Sequence, residues 1–115
     1  MVLYAAPTVA GAMVEILVHY AAIPTGMCQS QLDIPDDVSI GHPPPGSLAA
    51  GWARDVNLTR NLGSVWYRQQ SSAVLIVPSS VAHGEKNYLL NVQHPAFGRI
   101  RFSSPKTFEF DERLK

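Results

Sequence analysis

Ala73-Val74-Leu75-Ile76-Val77 is an uninterrupted apolar run, closed by Pro78 and the two hydroxyls Ser79 and Ser80. Five apolar residues in a row, mostly β-branched or Leu, predict a strand buried on both faces. Pro78 is expected to stop its ladder. In α/β proteins, binding groups commonly lie beyond the carboxyl end of a central strand, and the same Pro-Ser-Ser also reads as a plain turn. Upstream, Val2–Ala5 predicts a short strand ended by Pro7. Thr8 can then cap a helix running to about Tyr20, with Val9, Met13, Ile16, Leu17 and Tyr20 on one stripe. Val14 and Val18 lie on roughly the opposite face, so this helix is expected to be covered on more than one side.

The middle of the chain is less periodic. Residues 21–30 read as loop, Gln31–Ile34 as a short strand, and Val38-Ser39-Ile40 as another. Gly41-His42-Pro43-Pro44-Pro45-Gly46 reads as a stiff extended surface connection. It is too short to separate two domains. Leu48–Trp52 predicts a helical turn with Trp52 as an anchor, and Asn57-Leu58-Thr59 a loop. Thr59–Gln70 predicts a second helix with Leu62, Val65 and Trp66 on one face. Gly63 inside that helix costs about 1 kcal/mol relative to alanine, marking close packing or a break. Beyond the central run, His83–Asn87 is turn-rich, Tyr88–Asn91 is strand-like, and His94-Pro95 is a stop. Arg99–Ser103 and Thr107–Asp111 both alternate, which predicts a hairpin with Arg101 opposite Glu109. These elements sum to one α/β (α+β) domain over residues 1–115, with a mixed or largely antiparallel sheet and at least two helices.

Composition removes several function classes. Apolar residues are 46% and charged residues 16% of 115, with nine basic and nine acidic side chains. That balance and the lack of a local Lys/Arg cluster argue against direct nucleic-acid binding. The single Cys28 excludes an internal disulfide framework and fits a reducing compartment. No apolar run approaches a membrane span and no signal-peptide pattern opens the chain, so the expected location is cytoplasmic. Phosphate-loop, dinucleotide-fingerprint, Cys-x-x-Cys and Gly-x-Ser-x-Gly patterns are all absent. His19, His42, His83 and His94 lack metal-ligand spacing, and no metal is expected.

Glu15 is the chemical anomaly, the first helix's only carboxylate, set among apolar positions. A carboxylate in apolar surroundings is costly unless paired or hydrogen-bonded. It is read either as a functional group or as a surface Glu paired with His19 at i+4. With Ser79, Ser80, Asn87, Asn91 and His94, it completes the polar inventory, which by itself names no reaction.

Several segments together resemble a known family. Val2-Leu3-Tyr4-Ala5-Ala6 leading into Glu15-Ile16-Leu17-Val18-His19 is similar to the opening strand-and-helix signature of the RES-domain toxins. Ile76-Val77-Pro78-Ser79-Ser80-Val81, followed by Asn87–Asn91 and His94-Pro95, resembles their valine-proline-serine motif and its continuation. Phe108–Leu114 resembles their closing motif, and Leu62-Gly63-Ser64-Val65-Trp66 a further one, with Ser64 where aspartate is usual. The resemblance implies a fold related to ADP-ribosylating toxins and bacterial type II toxin activity on NAD. The implied reaction is cleavage of the nicotinamide–ribose bond with phosphate or water as acceptor, or ADP-ribosyl transfer to a protein. It implies Glu15 and Ser79 as catalytic residues, and Tyr4, His19, Ser80 and Asn87 as the NAD-binding set. Its implied partner is a cognate antitoxin with an Xre-like DNA-binding domain. The family's named arginine belongs upstream of Val2, so the match corresponds to the carboxyl-terminal two-thirds or so of a RES domain; Arg54, Arg60, Arg68, Arg99 and Arg101 fall in none of its motifs. An inactive RES-derived module that binds antitoxin or further copies of itself is the alternative.

Overall fold

The computed structural model describes Met1–Lys115. The apolar run forms β5 (Val74–Pro78), and β6 (Lys86–Asn91) returns beside it antiparallel through a turn at Gly84. Gly84 has φ +86°, a left-handed geometry that side-chain-bearing residues rarely adopt. β1 (Val2–Ala5) flanks β6 antiparallel, and β4 (Ile40–Gly41) flanks β5 parallel, so the main sheet has the order β1-β6-β5-β4. The fold is thus α/β with a mostly antiparallel, mixed sheet. Pro78 does not end the ladder one residue early. It pairs with Lys86 as the last rung, a position where its missing N–H costs least.

Alternation across β5 and β6 builds two small cores. Val74 and Leu90, directly paired, join Val38, Ala73 and Ile100 on one face. Leu75 and Leu89, the next pair, meet Trp66 on the other. Burying each such aliphatic side chain contributes roughly 1.5–3 kcal/mol. The run is therefore buried on both faces as far as Leu75, and opens toward Pro78, where the strand reaches the functional end of the sheet. Only 11 of 115 residues are buried. The Cα radius of gyration is 15.0 Å, against about 13–14 Å for a tightly packed chain of this size. Much apolar surface therefore remains uncovered.

Helix α1 (Val9–Leu17) starts where expected, with Thr8 Oγ1 accepting from the Gly11 N–H at 3.0 Å. It ends three residues before Tyr20. Lys115 donates to the carbonyls of Leu17 and Tyr20 there, and the carboxyl end of a helix favours such a cation. The chain does not cover this helix on several sides. None of its residues is buried, and Val9, Val14, Val18 and Tyr20 are exposed. Helix α2 (Val56–Gln69) starts three residues before the expected Thr59, because Asp55 caps it by accepting from the Leu58 N–H at 3.0 Å. Asn57-Leu58-Thr59 is accordingly helix rather than loop. Gly63 leaves α2 unbroken, and nothing lies within 4 Å of where a Cβ would stand, so it marks neither a break nor close packing. The helical turn expected at Leu48–Trp52 sits slightly later, at Trp52–Arg54.

The expected hairpin near the carboxyl end does not form. β7 (Arg101–Phe102) pairs with β3 (Leu32–Asp33), and β8 (Lys106–Phe108) with β2 (Met27–Gln29), both antiparallel. Arg101 therefore faces Asp33, not Glu109. Ser103 fixes this choice. Its N–H donates to the Gln31 carbonyl at 2.8 Å, its Oγ accepts from the Gln31 N–H at 2.8 Å, and its carbonyl accepts from Ser30 Oγ at 2.7 Å. Cys28, read as loop, lies exposed in β2. No helix is long and apolar enough to cross a membrane.

Candidate active site

The order of β1, β6 and β5 brings three distant residues together. α1 follows β1 and carries Glu15. The last residues of β5 lead directly into Ser79. Asn87 on β6 is the rung opposite Val77. Ser79 Oγ donates to Glu15 Oε1 at 2.6 Å, and Asn87 Nδ2 donates to the same oxygen at 2.9 Å. Glu15 Oε2 has no partner within the chain. The His19 pairing does not form: Glu15 is held by β5 and β6 instead, and His19 is exposed. These are charge-assisted bonds, shorter and stronger than neutral ones. Glu15 is half-buried, so they offset the desolvation that its apolar surroundings impose.

Ser79 is fully engaged. It is 4% exposed. Besides donating to Glu15, its Oγ accepts from the Val81 and Ala82 N–H groups at 3.2 and 3.0 Å, while its own N–H donates to the Glu85 carbonyl at 2.9 Å. A hydroxyl offers one donor and two acceptor sites, and all three are used. Pro-Ser-Ser is thus both a turn and a support for the carboxylate.

Glu15 and Asn87 line a cleft of about 1770 Å³ between the open end of the sheet, α1 and α2. Tyr4, His19 and Ser80 line it too, so of the residues implied as catalytic or NAD-binding the structure gathers all except the buried Ser79 at one surface. They are not equally engaged. Tyr4 is 75% exposed, and the side chains of Tyr4, His19 and Ser80 make no hydrogen bond to Glu15. Asn91 and His94, the remaining polar candidates, serve the scaffold instead. Asn91 is buried and bonds the Tyr67 carbonyl and the Gln93 N–H; His94 Nδ1 accepts from the Ala96 N–H. No three His, Cys, Asp or Glu side chains converge as ligands for a metal ion.

The RES domain family matches residues 1–111. The chain belongs to this family. Relatives include a "Toxin Res" of Pseudomonas putida, 39% identical over 82% of this chain and 66% of the relative. A "Prs ADP-ribosylating toxin" of Sphingobium sp. is 30% identical over 98% of this chain and 74% of its own length. A "Toxin Res" of Yersinia enterocolitica is 35% identical over 98% of this chain and 77% of its own length. The chain thus spans about two-thirds to three-quarters of the RES proteins it matches.

Sequence inspection missed one wall of the RES cleft. Arg60, Ser64 and Arg68 of α2 are among its lining residues, although Arg60 and Arg68 fall in no recognised motif. Their i, i+4, i+8 spacing was the available signal, and it acquires meaning only once α2 is seen to border the cleft.

Proposed function

We propose that this RES-family chain is the catalytic part of a toxin of a type II toxin–antitoxin system and consumes NAD, breaking the nicotinamide–ribose bond. Residues 1–115 act as a single domain in this proposal. One observation carries it: a carboxylate held by two donors on one oxygen, its other oxygen unpartnered, on the wall of a cleft of dinucleotide size or more. As the bond breaks, its electron pair leaves with nicotinamide and neutralises the ring's positive charge. The ribose then gains oxocarbenium character. A fixed carboxylate stabilises that charge or orients the ribose hydroxyls, and being preorganised it needs no rearrangement at the moment of reaction. Water or phosphate adds to the anomeric carbon and gives up a proton to solvent, yielding ADP-ribose or its 1-phosphate. The acceptor needs positioning more than activation.

Within this scheme Glu15 is the catalytic residue. Ser79, whose hydroxyl has no capacity left for a ligand, positions it. Asn87 shares that task from the cleft wall, and Tyr4, His19 and Ser80 contact the dinucleotide. The similarity to the Sphingobium relative, an ADP-ribosylating toxin, supports NAD as substrate and keeps protein ADP-ribosylation open as the acceptor route.

The test is nicotinamide release from NAD, with and without phosphate, by the wild type beside Glu15→Gln. Gln keeps an acceptor for Ser79 and Asn87 but removes the charge. The expected result is a loss of about 100-fold or more. Full retained rate would remove Glu15 from its role, and dependence on phosphate would separate phosphorolysis from hydrolysis.

A second reading rests on the uncovered face of α1. Exposed Val14 and Val18, one turn apart on the same side of the helix, form an apolar surface suited to a protein partner, either the antitoxin with an Xre-like DNA-binding domain or a further copy of the chain. Light scattering at 12.5 kDa, together with no antitoxin capture, would eliminate it.

A further inference from the structure

The main sheet has two edges, and they are not alike. β4 closes one with only two residues, Ile40–Gly41, and the chain then runs into Pro43, Pro44 and Pro45. Short edge strands and prolines guard a sheet against added strands. β1 closes the other with four residues, Val2–Ala5, and carries no charge, no proline and no bulge. The ladder determines which of its backbone groups are free. The Asn91 N–H donates to the Ala73 carbonyl, so residues 87, 89 and 91 of β6 turn their backbone groups toward β5. Residues 88, 90 and 92 turn theirs toward β1, where the Val92 N–H donates to the Met1 carbonyl and Leu3 and Ala5 are the rungs opposite Leu90 and Tyr88. Val2 and Tyr4 therefore point their N–H and C=O groups away from the sheet, and no other group of the chain bonds them. β6 is the element packed along β1, and Tyr4 is 75% exposed.

We propose that the free edge of β1 pairs with β1 of a second copy of this chain, antiparallel about a two-fold axis at Leu3. In that register Val2 faces the partner's Tyr4, and Tyr4 faces the partner's Val2. Each such pair exchanges two N–H···O=C bonds, so every free backbone group of Val2 and Tyr4 is used. The strand is thus self-complementary, as a two-fold interface between identical copies requires. Charge favours this occupant too. The edge is neutral, and nine basic and nine acidic residues cancel over the whole chain, so two copies meet without net repulsion. Directly paired residues share a face of the sheet. Val2 packs on the face that holds Trp66, Leu75 and Leu89, and it lines the cleft. The partner's Tyr4 then stands beside Val2 at the cleft margin, as an aromatic–β-branched cross-strand pair. This pairing does not depend on the NAD reading.

The experiment follows the mass of the full chain by light scattering over a concentration series, for the wild type, Tyr4→Lys and Val14→Lys. The expected wild-type result is a species of twice 12.5 kDa. Tyr4→Lys removes no packing and places a charge on the edge, and should weaken the dimer about tenfold or more. Val14→Lys, on the exposed face of α1, should change it by less than about twofold, since no strand pairs there. A second arm reads the register in a Cys28→Ser background, which removes the native thiol. The proposed pairing sets Leu3 against the partner's Leu3 with Cα atoms about 4.5 Å apart, within disulfide reach. Leu3→Cys should therefore cross-link to itself on mild oxidation, and Val14→Cys should not. A 12.5 kDa species at every concentration overturns the proposal, even where that monomer takes up an antitoxin strand at β1. A dimer that ignores Tyr4→Lys, or that Val14→Lys disperses, overturns it as well. So does cross-linking at Val14→Cys in preference to Leu3→Cys, which would move the contact to α1.

Discussion

Ser79 Oγ donates to Glu15 Oε1 at 2.6 Å across 64 positions of sequence, and the same hydroxyl accepts two backbone N–H groups from the turn that follows it. The serine therefore acts through the carboxylate. Ser79→Ala should lower kcat for nicotinamide release about 10- to 100-fold while leaving KM within about threefold, the pattern of an interaction that matters in the transition state. Asn87→Ala should act in the same direction. Because both donors serve one oxygen, the double variant should fall well short of the product of the two losses and approach Glu15→Gln. Steady-state kinetics on the four proteins checks this; fully multiplicative losses would mean that the two donors act independently of Glu15.

Both ends of the Ser79–Glu15 bond were legible in sequence, but the bond was not. Glu15 is conspicuous as the lone acid of an apolar helix, and Ser79 as a hydroxyl just past a buried strand. Their meeting depends on β6 lying between β1 and β5, a non-local pairing that no window of residues encodes. The false hairpin at Arg99–Asp111 failed for the same reason. Alternation there is real, yet it specifies a half-buried strand and not its partner. Ser103 supplies the missing information through three bonds to Ser30 and Gln31. The early start of α2 was legible in principle, since Asp55 is a favoured cap residue, but Asn57-Leu58-Thr59 resembled turn chemistry and masked it. Thr59 Oγ1 turns back to the Asp55 and Val56 carbonyls instead, a bond geometry open to threonine inside a helix.

Gly41 is required by its neighbour rather than by its backbone. A Cβ there would stand 2.8 Å from Ser72 Oγ. That oxygen cannot swing aside, because it accepts from Trp66 Nε1 at 2.9 Å and donates to the Val74 carbonyl at 2.8 Å. Gly41→Ala should destabilise the domain by about 1–3 kcal/mol through overpacking. Ser72→Ala should cost about 1–3 kcal/mol by leaving the buried Trp66 N–H unsatisfied. The combined variant should lose less than the sum, since removing the hydroxyl removes the clash. Urea unfolding of the three variants measures this coupling, and strict additivity would show that Ser72 is not what excludes a side chain at Gly41.

Gly63 makes the opposite case. It sits within continuous α2 with open space where a Cβ would be, so Gly63→Ala should stabilise by about 0.5–1 kcal/mol, chiefly by restricting the unfolded chain. A melting temperature higher by several degrees is the expected readout. An unchanged or lowered value would indicate that α2 moves or packs in a way that requires the glycine.

Asp111 and Arg113 form a local pair whose titration can be followed directly. Arg113 Nε and Nη2 donate to the two Asp111 oxygens at 2.9 and 2.8 Å, and the Arg113 backbone N–H adds a third bond at 2.8 Å. The Arg113 side chain first, and then its backbone N–H, hold the Asp111 carboxyl below the ordinary value of 3.8, while the carboxylate raises the guanidinium in turn. A carboxyl depressed in the folded state contributes stability that is present above its unfolded value and disappears as pH falls through the folded one. The contribution from Asp111 is therefore complete at neutral pH and is lost only below about pH 4. Both groups are solvent-exposed, so solvent screening keeps the effect on global stability small and the local titration is the sensitive observable. Carboxyl-carbon NMR should place the Asp111 midpoint below 3.8 in the wild type and return it toward the ordinary value in Arg113→Gln. An Asp111 midpoint that ignores the loss of Arg113 would mean that the pair does not persist in solution.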